Sequence, residues 1–240
     1  MGDTHSPLIV RLFNESAPSP SKALDHFSVV EYLQQGFGTE IFKSVPPFNA
    51  LPLNYQEFLQ NIQDLPAPEK MALIHDFVVG QMKYKLGLDE SQMRTVSDII
   101  KNPIGDCDDY AQLTMGMLYL AGFNPDKVYN VSGDYSLNTG GTSKDTVHAV
   151  AALEYEGQVY VFDMNVMRPF VLDGSGEQNV DVRFLRGSSV TIPGSWSMKP
   201  WAVFSSENYV WTTPDYDAYR QASAEDTLTR EDPALTVTPK

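Results

Sequence analysis

Residues 105–122, GDCDDYAQLTMGMLYLAG, decide the fold. Asp106 is a residue type that caps helix N-termini, and Asp109, three positions on, stands where a capping-box side chain reaches back. Ala111, Met115 and Leu118 then recur on one face until Gly122, a residue that stops helices. The stretch predicts a helix with Cys107 in its first turn. Working outward from it, the sequence reads helical on the N-terminal side and extended on the C-terminal side.

Upstream, HFSVVEYLQQGFGTEIF (26–42) has mixed helical spacing broken by Gly36 and Gly38 and suggests a short helix. NYQEFLQNIQDL (54–65) suggests another. Pro68 opens PEKMALIHDFVVGQMKY, where Met71, Ile74, Phe77, Val78 and Met82 approximate one helical face. DESQMRTVSDIIKN (89–102) predicts a helix ending before Pro103, and the loop NPIG delivers the chain to Asp106. Residues 1–22 are polar and rich in Pro and Ser, which suits a poorly ordered arm.

Downstream the hydrophobic period shortens. KVYNVS (127–132), HAVAALEY (148–155) and QVYVFDMN (158–165) read as strands, with Glu156-Gly157 as the turn between the last two. FVL, VDVRFL and KPWAVF are further extended segments, whereas residues 219–240 turn polar and acidic without a period. The layout of helices followed by an antiparallel sheet is the α+β pattern. We expect one domain over residues 23–218, an N-terminal arm over 1–22 and a flexible acidic tail over 219–240.

Composition narrows the function. With 42% hydrophobic residues in a 240-residue chain, one substantial core can form. The formal net charge of −14 argues against a nucleic-acid groove, which needs clustered Lys and Arg. No stretch approaches the roughly 20 apolar residues of a membrane span, and the first residues lack the basic-then-apolar order of a secretory signal. A single cysteine excludes an intrachain disulfide and multi-cysteine zinc.

That cysteine is placed for chemistry. A helix N-terminus lowers a thiol pKa, the more so beside an imidazolium, and the thiolate is the nucleophile. Of the four histidines, His5 lies in the arm, while His26 and His75 belong to predicted helices; His148 begins a core strand. If Glu156-Gly157 centres the hairpin, Val150 opposes Asp163, so His148 and Asp163 share a face as diagonal neighbours about 7–8 Å apart in backbone. A carboxylate so placed can hold and orient the imidazole. A bulge in the turn would slip the register and send the two to opposite faces. His75, in an amphipathic helix with no second ligand at metal spacing, reads as a core histidine. The glycine-rich stretch before His148 reads as a mobile rim of a cleft.

GDCDDYAQLTMGMLYLAG, HAV and VFDMN, in that order, resemble the bacterial transglutaminase-like cysteine proteinase family over about residues 70–170. The resemblance implies a papain-like core with Cys107 as nucleophile, His148 as base and Asp163 as orienter. It also implies calcium contacts at Asp106 and Asp108, a protein substrate and a periplasmic setting, with the cytoplasm as the alternative. Electrostatics asks for a cation independently: Asp106, Asp108 and Asp109 beside one thiol oppose thiolate formation, and hard oxygen ligands suit Ca²⁺. The chain departs from the family where Phe162-Asp163-Met164-Asn165 replaces a Leu-Asp-Asn, and again beyond Phe170. The same three residues would serve peptide hydrolysis or acyl transfer to an amine. A non-catalytic protein that retains the fold is the third reading, for which an inert thiol would speak.

Overall fold

The helix-first order holds in the computed structural model, which describes residues 45–85, 94–138, 143–174, 177–183, 192–204 and 209–211. The expected arm, the expected helix over 26–42 and the acidic tail lie outside the described residues. A 3-10 turn at Phe48–Ala50 precedes α1 (Leu53–Ile62) and α2 (Ala67–Gln81). Each helix follows a proline, Pro52 or Pro66, whose fixed φ and missing N–H suit the entry to a first turn. Phe77 of α2 stacks on Phe58 of α1 at 4.0 Å between centroids and meets Tyr55 edge-on at 5.0 Å, which locks the two helices together.

Of the third helix expected over 89–102, residues 89–93 lie outside the described set, and the described part is helical from Val96. α3 runs from Val96 to Lys101 and is capped by Thr95, whose hydroxyl accepts from the Asp98 N–H at 3.2 Å. Two short parallel strands that the sequence pattern did not reveal, β1 (Lys83–Tyr84) and β2 (Ile104–Gly105), tie the end of α2 to the approach to Cys107.

α4 (Cys107–Leu120) is the central element. Every residue from Asp109 to Leu118 is buried, so the helix is covered all round rather than on the one face its apolar spacing suggested. It packs on α2, α3 and the sheet. Gly116 permits the close approach of α3, because a Cβ there would stand 2.7 Å from a methyl of Val96. Gly122, at φ 92°, takes the left-handed conformation that ends the helix.

After a 3-10 turn at Pro125–Lys127 come β3 (Val128–Asn138), β4 (Ser143–Tyr155) and β5 (Gln158–Phe162). The β4–β5 hairpin has the register expected from its turn, Tyr155 opposite Gln158 and Ala151 opposite Phe162. Glu156 and Gly157 both take positive φ, 50° and 76°, the geometry whose twist matches flanking strands. β3 and β4 pair as far as Asn138 and Ser143, so most of the stretch expected as a mobile rim is strand, and residues 139–142 lie outside the described set.

The later segments form β6 (Phe170–Val171), β7 (Gln178–Val182), β8 (Ile192–Phe204) and β9 (Tyr209–Trp211). β8 starts well before the KPWAVF segment that announced it. Among the described residues the sheet order is β6-β5-β4-β3-β8-β7, with β9 on β8. The chain just beyond β5 then bonds to β7 through a Val166–Val182 bridge and an N–H of Met167 to the Asp181 carbonyl at 2.9 Å. The sheet therefore curls on itself. Its outer face, with Ala149, Ala151, Leu153 and Phe162, joins the helical core, and its inner face encloses Val131, Val150, Val161, Trp196 and Met198.

Candidate active site

Two parts of the molecule supply the residues singled out above. The first is the start of α4. Asp106 is its N-cap, accepting from the Asp108 N–H at 3.3 Å, and Asp109 reaches back to the Asp106 N–H, completing the capping box. Cys107 is thus the first helical residue, half-buried against the helical core. Asp106 and Asp108 flank it, both half-exposed.

The three carboxylates expected around the thiol do not act together. Asp109 turns inward and pairs with Arg94 at 3.2 Å, while Arg94 also donates to the carbonyls of Ile104, Asn102 and Asp98. Burial raises the Asp109 carboxyl above its usual value despite the opposing charge of Arg94. A Cβ on Gly105 would fall 1.9 Å from an Asp109 oxygen and 2.6 Å from the Asp109 Cβ, so only glycine lets the carboxylate tuck under β2. Among the described residues no group of three His, Cys, Asp or Glu side chains is arranged as a metal cluster. The pair Asp106 and Asp108 remains, and its hard oxygens match a calcium ion in kind; backbone carbonyls and water would complete such a shell.

The second part is one end of the curled sheet. His148, opposite Gly133 on β3, is buried, and its Nε2 lies 2.8 Å from Asp163 Oδ1. Asp163 follows β5 and is wholly enclosed. Its Oδ1 also accepts from the Asn165 backbone N–H at 2.9 Å, and its Oδ2 accepts from Trp196 Nε1 at 2.7 Å. Burial alone would raise the Asp163 carboxyl, but the facing imidazole and these hydrogen bonds outweigh it and hold the group below the usual carboxylate value. An ionised carboxylate only accepts, so Nε2 carries a proton and Nδ1 is the bare nitrogen of the neutral ring.

Aromatic and amide groups enclose this pair. The Tyr135 ring packs on His148 at 4.4 Å between centroids, and the Asn165 amide lies 3.2 Å from His148 Nε2 and 3.4 Å from the Tyr135 hydroxyl. Burial first, then the charge of Asp163, pushes the Tyr135 phenol well above its usual pKa, with Cys107 adding in the same sense; α4 itself packs on β3 and β4, the strands that carry Tyr135 and His148. His75 is, as expected, a core histidine. Its Nε2 donates to the Val166 carbonyl at 3.0 Å and pins the turn after Asp163 to α2.

The sequence reading missed Tyr135, Asn165 and Trp196. Tyr135 lies diagonal to His148 on the same face, which was visible only once β3 was known to run past Gly133. For Trp196 a signal existed: a buried indole needs an acceptor for its N–H, and Asp163 was the buried carboxylate in want of donors.

A helix that starts on a thiol is packed against an antiparallel sheet whose end holds an imidazole on a carboxylate, an α+β arrangement. Sequence comparison then places the molecule. The transglutaminase-like domain matches residues 50–175, and the chain belongs to that family. Among solved structures it is similar to Legionella pneumophila LapG in its calcium-bound form, with 14% identity, 80% of this chain and 96% of that chain covered and a TM-score of 0.47. The EGTA-treated LapG is similar at 13% identity, 78% and 97% coverage and a TM-score of 0.48. An arylamine N-acetyltransferase from Mycobacterium abscessus is similar at 14% identity, 81% and 74% coverage and a TM-score of 0.40. No curated protein sequence matches. Among the described residues no helix is long and apolar enough to cross a membrane.

Proposed function

We propose that the protein is a cysteine peptidase in which Cys107 is the nucleophile, His148 its base and Asp163 the group that orients the base. The observation that carries this reading is the buried 2.8 Å bond between His148 Nε2 and Asp163 Oδ1, which leaves Nδ1 free for a thiol. Cys107, the chain's single cysteine, at the first residue of a buried helix, is the complementary half.

In the reaction the Cys107 thiol gives its proton to His148 Nδ1, and the thiolate attacks a peptide carbonyl. The imidazolium returns that proton to the leaving amine as the C–N bond breaks, giving a thioester. His148 then takes a proton from water, whose hydroxyl displaces Cys107 and releases the new carboxylate end. The Cys107 N–H, in the first turn of α4, would donate to the oxyanion. Asp163 remains ionised throughout.

Asp106 and Asp108 would hold a calcium ion, which supplies positive charge beside the thiol and offsets the two carboxylates that otherwise disfavour its ionised form.

The test is the pH dependence of Cys107 alkylation in wild type and His148→Ala, with calcium and after chelation, followed by incubation with protein substrates. Fast labelling below pH 7 that His148→Ala abolishes supports the reading, as does peptide cleavage lost in Cys107→Ala. Labelling at the rate of a free thiol in both proteins would overturn it. Incorporation of an added amine without cleavage would convert the assignment to acyl transfer.

A further inference from the structure

The family match ends at residue 175, and the chain beyond it delivers the deepest aromatic side chain among the described residues of the sheet to the candidate active site. Trp196 is 1% exposed, inside the curl, on a strand separated from Asp163 by more than thirty positions of sequence. Its ring is fixed by Phe170 at 5.0 Å and Tyr135 at 6.1 Å between centroids, both edge-on. An indole so held has one polar atom, and that atom donates to Asp163 Oδ2 at 2.7 Å, the short separation of a charge-assisted bond.

The consequence concerns the other oxygen. Asp163 Oδ2 is saturated by Trp196, and Oδ1 receives both the Asn165 N–H and His148 Nε2. The carboxylate cannot rotate without breaking bonds on both sides, so its plane is set by Trp196 of β8 together with the Asn165 N–H, and a lone pair of Oδ1 is directed at the imidazole. We propose that Trp196 is a positioning residue for the reaction, fixing Asp163 so that His148 is held by Nε2 and offers Nδ1 to Cys107. The role rests on the peptidase reading above. It also gives the part of the sheet beyond the family match a function: β8 carries no reacting group but closes the shell around the one that orients the base.

Two readouts on the full chain test this. In a nitrogen–proton correlation spectrum, the Trp196 indole is identified as the signal missing from Trp196→Phe, a variant that keeps an aromatic ring and loses the N–H. That signal is expected well downfield of the position of a water-exposed indole, to move upfield in Asp163→Asn and to stay downfield in His148→Ala. Alkylation of Cys107 in Trp196→Phe is expected to slow about tenfold or more, the scale of a lost hydrogen bond to a charged group. Should Trp196→Phe fail to fold, the response of the wild-type indole signal to Asp163→Asn still decides the contact. An indole signal indifferent to Asp163→Asn, or an activated wild-type thiol that Trp196→Phe alkylates just as fast, overturns the role of Trp196 alone. A wild-type thiol with free-cysteine reactivity overturns the peptidase reading and this inference with it.

Discussion

The start of α4 and the end of the curled sheet are built on opposite principles. At the sheet end the buried His148 and Asp163 are paired: Asp163 accepts from His148, Asn165 and Trp196, and the Tyr135 ring covers the imidazole. At the helix start Asp106 and Asp108 are half-exposed, while the buried Asp109 is paired with Arg94 at 3.2 Å. One part is set by folding, and the other is open to solvent and to ions. The contrast predicts that substitutions at the sheet end act on stability and reactivity together, whereas those at the helix start separate the two.

The largest effect should come from Asp163→Ala. It leaves the Trp196 and Asn165 N–H groups and the buried imidazole without their acceptor, and removing one partner of a buried pair costs about 3–5 kcal/mol. Urea unfolding would measure it. Asp163→Asn keeps the shape but favours the wrong imidazole tautomer, so thiol reactivity should fall by as much as about 10⁴-fold, by analogy with a triad carboxylate changed to its amide. A loss of reactivity without loss of stability in Asp163→Ala would break the comparison.

At the helix start, Gly105→Ala comes next. The new methyl would meet the Asp109 carboxylate and its Cβ, so turning the carboxylate does not relieve the clash. An overpacking cost of about 1–3 kcal/mol is expected in the same urea experiment. Because the strain falls on the Arg94 pair rather than on the imidazole, the pH profile of Cys107 alkylation should keep its dependence on His148.

The pH dependence of folding sharpens the contrast. Burial holds the His75 pKa below its unfolded value, so the neutral ring contributes stability above about pH 6.5, and that contribution is lost as pH falls below it. Asp163, also depressed, adds stability present above about pH 4 and lost as pH falls through its lower folded value. Both losses lie on the acid side and both loosen the turn from Asp163 to Val166. His75→Gln, which keeps a donor for the Val166 carbonyl, should flatten the loss near pH 6 at little cost at pH 8. His75→Leu should cost about 1–3 kcal/mol at pH 8, because the buried carbonyl is left unpaired, and the gap to the wild type should narrow as pH falls below about 6.5.

Legibility in the sequence followed the range of the interactions. The capping box of α4 and the Glu156-Gly157 turn are local, and together they brought out the helix start at Cys107 and the shared face of His148 and Asp163. The sheet beyond Phe170 is long-range. Ile192–Phe204 contains Pro193, Gly194 and Pro200, residues that argue against a strand, and it forms one because β3 and β7 pair with it from both sides. Trp196 was therefore hidden, since its role depends on which strand lies across the curl. The inward turn of Asp109 was hidden for a related reason: its cation, Arg94, and the glycine that admits it belong to separate elements, α3's approach and β2.

The smallest effect on stability should be that of Asp106→Asn, and it is the most discriminating at the helix start. Asparagine caps helices about as well as aspartate, so the bond to the Asp108 N–H survives and the unfolding free energy should change by no more than a few tenths of a kcal/mol. The charge is lost, and with it a ligand for a hard cation. If calcium acts at Asp106 and Asp108, chelation should slow Cys107 alkylation in the wild type and have little further effect in Asp106→Asn. If the two carboxylates serve only as helix-dipole partners, the substitution should instead speed alkylation modestly by removing a negative neighbour, and chelation should change neither protein. The sign of the change in a variant that folds like the wild type then tells whether the open part of the site is completed by an ion or stands as the chain alone builds it.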